Sequence, residues 1–137
     1  GAAFAYLELP DESGPPDPGF AARLAAAREA GLKVGVIHVF DPCRPADAQS
    51  AFFTRMVPRD SGWLPPAIAL TRLADGCAQP VSDAAVESEL VTFINQIETH
   101  AGKPVILKLG RAFQERHRSA QALERDLWLM RDRAQPD

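Results

Sequence analysis

No apolar run in this chain approaches the roughly 20 residues that a membrane-spanning helix needs. Its start, Gly1-Ala2-Ala3, lacks the basic opening of an export signal, so any such signal has been removed or was never included. Basic residues are not in excess: 15 Lys and Arg stand against 18 Asp and Glu, for a net charge near −3. No basic cluster is interleaved with aromatics, so there is no electrostatic ground for a nucleic-acid partner. The arginine-rich end, from Arg111 to Arg133, is offset by Glu115, Glu124, Asp126 and Asp132. No metal site is indicated, and no cofactor is expected. What is present is an apolar fraction of 46% over 137 residues, which suits a single globular domain, 1–137, and gives no sign of disorder.

Taken in order, Ala3 to Leu9 is a strand candidate that stops at Pro10 and passes into the turn-rich DESGPPDPG. Asp17 offers an N-cap and Pro18 a first helical position for a helix faced by Phe20, Leu24 and Ala27, which Gly31 can end. Lys33 to Phe40, KVGVIHVF, is nearly all apolar, as expected of a strand covered on both sides in a parallel sheet. A loop, Asp41-Pro42-Cys43-Arg44-Pro45, leads to a second helix, Ala46 to Val57, with Ala48, Phe52 and Met56 at helical spacing. Leu64 to Leu73, LPPAIALTRL, reads as a buried strand feeding a functional loop. By alternation Ala67, Ala69 and Thr71 share one face and Ile68 and Leu70 the other.

The third helix opens at Ser82, carries Val86, Leu90, Phe93, Ile94 and Ile97, and stops at Gly102. Pro104 to Leu109 is a fourth strand, and the remainder, through Leu123, Leu127 and Met130, reads as one or two short helices. Successive strand-loop-helix units predict an α/β fold with a parallel sheet, open or curled into a barrel. On either architecture ligands bind at the loops after the strands' carboxyl ends, here those at Pro10, Asp41 and Asp75.

Several blocks carry a family resemblance over nearly the whole chain: Phe4 through Asp17-Pro18 and Phe20, AAREAGLKVGVIHVFDPCR, AQSAFFTRMVPRDSGWLPP, GKPVIL and LWLM. In order and spacing the chain resembles the family 25 glycoside hydrolases, lysozymes of the N-acetylmuramidase type. The resemblance implies a partial or irregular β/α (TIM-like) barrel around a parallel sheet, with catalytic carboxylates where strands end and peptidoglycan as substrate. In such lysozymes the strand after the diproline ends in aspartate, an apolar residue and glutamate. Here those positions hold Ala69, Leu70 and Thr71. A tyrosine usual after the next strand corresponds to Lys108, and one before the strand histidine to Ile37, while His38 is retained. The family's opening strand, with its aspartate, and its closing strands are expected to fall outside this chain.

Glycoside hydrolysis needs an acid for the leaving oxygen and a second carboxylate, or a substrate group, for the oxocarbenium-like transition state. Neither a methyl nor a neutral hydroxyl replaces them. Glu8, Asp11, Glu12, Asp41 and Asp75 all fall at or just beyond strand ends. A relocated pair such as Glu8 with Asp41 is therefore conceivable, against the plainer reading of loop carboxylates that cap turns. His38 either lines the cleft or is a hydrogen-bonded core residue. Trp128 is a sugar-stacking platform or a core aromatic, and Trp63 shields the start of the central strand. Lys108, within an apolar strand, must reach the cleft mouth or find a carboxylate, for which Glu8 is a candidate. His100 and His117 suit helix ends by charge and dipole.

Two functional classes follow. One is a catalytically inactive lysozyme-like domain that binds peptidoglycan or another glycan, or another protein. The other is a working muramidase with relocated carboxylates. Cys43 and Cys77 fall in consecutive loops at one end of the sheet, which predicts a disulfide closing roughly 33 residues and stabilising the fold by about 3 to 4 kcal/mol. From that bridge and the resemblance, a secreted or periplasmic location is expected.

Overall fold

The computed structural model describes residues 3–12, 17–59, 62–117 and 126–129. Parallel strands cannot be joined by a tight turn, so each return must cross the sheet through an intervening segment, usually a helix. Among the described residues five strands do so in chain order: β1 (Phe4–Glu8), β2 (Lys33–Val39), β3 (Ala67–Leu70), β4 (Ile106–Leu109) and β5 (Asp126–Leu129). Between the first four run α1 (Phe20–Glu29), α2 (Ala46–Met56) and α3 (Asp83–Ala101), and α4 (Arg111–His117) follows β4. This is the expected α/β architecture. Among the described residues β1 and β5 are the sheet's two edges and do not pair with each other, so the barrel is partial.

Strand β2 shows why the order holds: Val34, Val36 and Phe40 join the core formed with α1, α2 and α3, while Ile37 packs with Ala67 and Ala69 on the opposite face. The same parity puts Ile68 and Leu70 of β3 in the large core and leaves the small alanines on the other side, as alternation predicts. Helix α3 is capped as the sequence indicates. Ser82 accepts the Ala85 N–H at 3.1 Å, and Gly102 ends the helix at φ 72°, a conformation that costs other residues more than glycine. All five apolar residues of its periodic face are buried.

Three expectations shift. Helix α1 begins at Phe20, two residues later than Pro18, because the Asp17 carboxylate takes the Gly19 N–H at 3.2 Å and pairs with Arg23 at 2.6 Å, holding a turn there. Helix α2 buries Ala46, Gln49, Ser50, Phe52 and Phe53, so its inward face is rotated from the Ala48, Phe52 and Met56 line. The third concerns the remainder. Leu127 belongs to strand β5, opposite Leu107, rather than to a short helix. The edge of β4 offers backbone partners to this short segment, and that pairing outweighs a weak local helical spacing. Leu123 and Met130 lie outside the described residues.

On the face away from the helices, Tyr6 of β1 lies over Gly35 of β2, its register partner, and donates its hydroxyl to the Pro65 carbonyl at 2.8 Å. A β-carbon at Gly35 would come within 2.7 Å of the ring's Cζ, so only glycine lets β1 and the start of β3 be tied together across β2. Gly35→Ala is expected to expel the ring, break that bond and lower stability by about 1–3 kcal/mol. Urea unfolding checks this, with Tyr6→Phe, which loses only the hydroxyl, costing about 1 kcal/mol. Equal losses in the two variants would rule out the steric account.

Candidate functional site

The strands' carboxyl ends form a cleft of about 310 Å³. Strand β1 and its loop contribute Glu8, Leu9, Pro10, Asp11 and Glu12, β2 and its loop His38, Val39, Asp41 and Arg44, α2 Gln49 and Phe52, and the loop after β3 Thr71 and Arg72. Opposite charges lace the three loops together. Arg72 reaches Asp11 at 2.6 Å and Asp41 at 3.3 Å, and Arg44 reaches Glu12 at 2.6 Å, with Arg55 3.9 Å from the same carboxylate. Arg72 and Asp11 are both near two-fifths exposed, so the pair orders the loops more than it stabilises the fold. Among the described residues Glu8 stands outside these ion pairs.

Behind the charges a buried glutamine fixes the loop after β2. Gln49 donates its amide N–H groups to the carbonyls of Asp41 at 2.8 Å and Arg44 at 3.1 Å, and its Oε1 accepts the Asp41 N–H at 2.9 Å. That orientation makes Oε1 an acceptor towards His38 Nε2, 3.3 Å away, and so assigns the proton of His38 to Nε2. His38 is 5% exposed and packs against Phe93 and Phe53, and its Nδ1 has no hydrogen-bond partner among the described residues. Burial pushes its imidazole down to about 4, against the smaller opposing pull of the Gln49 hydrogen bond.

Because the folded pKa lies below the unfolded value, the unfolded chain binds more protons between pH 6.5 and 4. Stability is therefore lost as pH falls through that window, by on the order of 3 kcal/mol at its lower end. Urea titrations at pH 7 and pH 4.5 should show this slope shrink in His38→Leu. An unchanged slope would remove the assignment.

The sequence-derived candidates divide clearly. Glu8, His38 and Asp41 meet in the cleft, and His38 is at once a lining residue and a hydrogen-bonded core residue. Thr71 lines the cleft, whereas Ala69, 5% exposed, packs with Ile37 and Ala67. Lys108 is the register partner of Ala69 and of Trp128 and does not line this cleft. Strands β2 and β3 stand between it and Glu8. The side chains of Trp128 and His117 lie outside the described residues. Asp75 is exposed in the turn Ala74–Gly76, away from the cleft. Trp63 donates to the Pro58 carbonyl at 2.8 Å and is stacked by Arg28, in keeping with a shielding role.

Sequence reasoning missed Gln49, Arg44 and Arg72. Gln49 was detectable as a polar residue spaced with Ala46 and Phe53 on one helix face. The arginines carried no local signal, since their carboxylates are distant in sequence. Cys43 and Cys77 form the expected disulfide, with Cα atoms 5.2 Å apart and a sequence separation of 34, joining the loop after β2 to the turn after β3. No helix among the described residues is long and apolar enough to cross a membrane.

Known proteins give the arrangement its context. A family 25 glycosyl hydrolase from Bacillus anthracis superposes with a TM-score of 0.81 at 27% identity, over 97% of this chain and 61% of its own. A muramidase from Acremonium alcalophilum gives 0.79 at 17% identity, over 97% of this chain and 68% of its own. A bacterial lysozyme from Streptomyces coelicolor gives 0.76 at 18%, over 94% and 63%. The chain thus spans about three fifths to two thirds of the length of these proteins. At these identities the muramidase and the lysozyme speak for the fold alone. No curated protein matched the sequence. The sequence pattern of the glycosyl hydrolases family 25 matches residues 1–137 throughout, and the chain belongs to that family.

Proposed function

We propose that this is an exported family 25 lysozyme-like domain that holds peptidoglycan, or a related glycan or protein, in its cleft without cutting it. The observation that carries the reading is the end of β3, where Ala69 and Thr71 occupy the positions that the family resemblance gives to the catalytic acids. Ala69 is a packed methyl group and Thr71 a neutral hydroxyl at the cleft wall, so that strand supplies no proton donor and no stabilising charge. The cleft still has what a polar ligand requires: carboxylates, guanidinium groups and the apolar flank of Phe52. The disulfide supports export, since such bridges rarely persist in a reducing cytosol.

A second reading, a working muramidase with relocated acids, is favoured by Glu8 and Asp41 lining the same cleft. Against it, both oxygens of Asp41 are already engaged, one by the Cys43 N–H and one by Arg72. Co-sedimentation with purified peptidoglycan, followed by turbidity, separates the two. Retention with constant turbidity is the expected result. No retention would overturn binding, and clearing of the suspension would overturn inactivity.

A further inference from the structure

We infer that the cleft selects peptidoglycan bearing free primary amines, with an ammonium group of the polymer set against Glu8, over peptidoglycan whose amines are all acylated. The inference rests on the binding reading above and adds the chemistry of the ligand. Its basis is the charge left over once the cleft's own pairs are made. Asp11, Glu12 and Asp41 face Arg44, Arg55 and Arg72, three carboxylates against three guanidinium groups. Glu8 is the fourth carboxylate lining the cleft, exposed and outside those pairs among the described residues.

A neutral ligand lying over Glu8 would strip water from a charge and return none of what that costs. An anionic ligand would meet the same carboxylate, and would have to draw Arg44 or Arg72 away from partners at 2.6 Å. An ammonium group brings both the missing charge and three hydrogen-bond donors. A metal ion is the poorer fit, because a single spare carboxylate is not a ligand set, and no group of three or more His, Cys, Asp or Glu among the described residues could hold one.

The cleft straddles the end of the sheet. Alternation puts Glu8 with its register partner Ile37 on the face away from the helices, whereas His38 packs towards Phe53 of α2 and Phe93 of α3. On that helix side His38 lines the cleft, is 5% exposed, and has its Nε2 engaged by Gln49 and an Nδ1 lone pair that no described residue fills. Nδ1 in this tautomer accepts, as Glu8 does. A ligand rich in donors suits both, and an amino sugar offers them as an ammonium group with neighbouring hydroxyls.

The test uses the full chain with three forms of purified peptidoglycan: as isolated, with its amines capped by acetic anhydride, and with its glycan de-N-acetylated. Co-sedimentation at low salt is expected to hold the amine-bearing forms about fivefold more tightly than the capped one, the size of one exposed ion pair, and the difference should fade as salt is added. Glu8→Gln should cut the preference to below about twofold with an unchanged far-ultraviolet spectrum. Glu29→Gln, which removes an equal charge at the exposed end of α1, beyond the opposite end of the sheet, should keep it. Competition names the source of the amine: displacement by a glucosamine pentasaccharide assigns it to the sugar, and displacement by a lysine-containing stem tetrapeptide assigns it to the peptide. Equal retention of capped and amine-bearing forms overturns the inference and leaves the binding reading standing. A preference that survives in Glu8→Gln, or that neither competitor abolishes, does the same. Retention of none of the three forms overturns both.

Discussion

Incubated with purified peptidoglycan, the unmodified chain is expected to release reducing ends no faster than a protein-free control. General acid catalysis alone contributes about 10²- to 10⁴-fold. A domain whose central strand presents neither the acid nor its partner loses proton donation and charge stabilisation together, so the deficit relative to an intact glycosidase should span several orders of magnitude. The double substitution Ala69→Asp/Thr71→Glu tests the positions directly. Thr71 is exposed at the cleft and accommodates a longer chain, whereas Ala69 is buried beside Ile37 and Ala67, so an aspartate there costs about 1–3 kcal/mol. Any regained release of reducing ends would show that the scaffold still aims the two positions at a bound glycan. Release by the unmodified chain that disappears in Glu8→Gln would instead establish relocated chemistry.

Removing the disulfide should produce the largest change in stability. Cross-linking residues 34 apart in sequence restricts the unfolded chain by about 4 kcal/mol on the chain-entropy account. For a domain of this size that corresponds to a fall in Tm of roughly 10–20 °C. Calorimetry of the oxidised chain against Cys43→Ser/Cys77→Ser measures it, and a fall of only a degree or two would mean that the unfolded chain is already restricted there, or that the native loops are strained by the link.

Periodicity and punctuation carried much of the fold. Helix α3 was legible to its caps because Ser82, five apolar residues and Gly102 all state the same boundary. Strand β2 was legible because an apolar run of that length, fenced by Gly31 and Asp41, suits a strand covered on both faces. Strand β5 was not, since four residues of mixed character take their structure from the edge of β4 rather than from their own preference. The site divides along the same line. Glu8, His38 and Asp41 follow from strand ends, a consequence of topology. The ion pairs join residues as far apart as Asp11 and Arg72, and Gln49 acts through backbone groups that no residue type announces.

The strand order has a consequence for how such a chain comes to exist. Every strand hydrogen-bonds to its neighbours in sequence, so the sheet can be laid down in the order of synthesis, each new strand meeting an edge already formed. Each addition closes one strand-helix unit rather than a loop the length of the domain, which keeps the entropic barrier of every step small. Domains that grow from one end in this way suit vectorial emergence from the ribosome or a translocation pore. The covalent lock comes midway in that sequence, before α3, β4, α4 and β5. Cys43 emerges after β2 but must wait for Cys77, beyond β3, so the bridge can close only once three strands have been made.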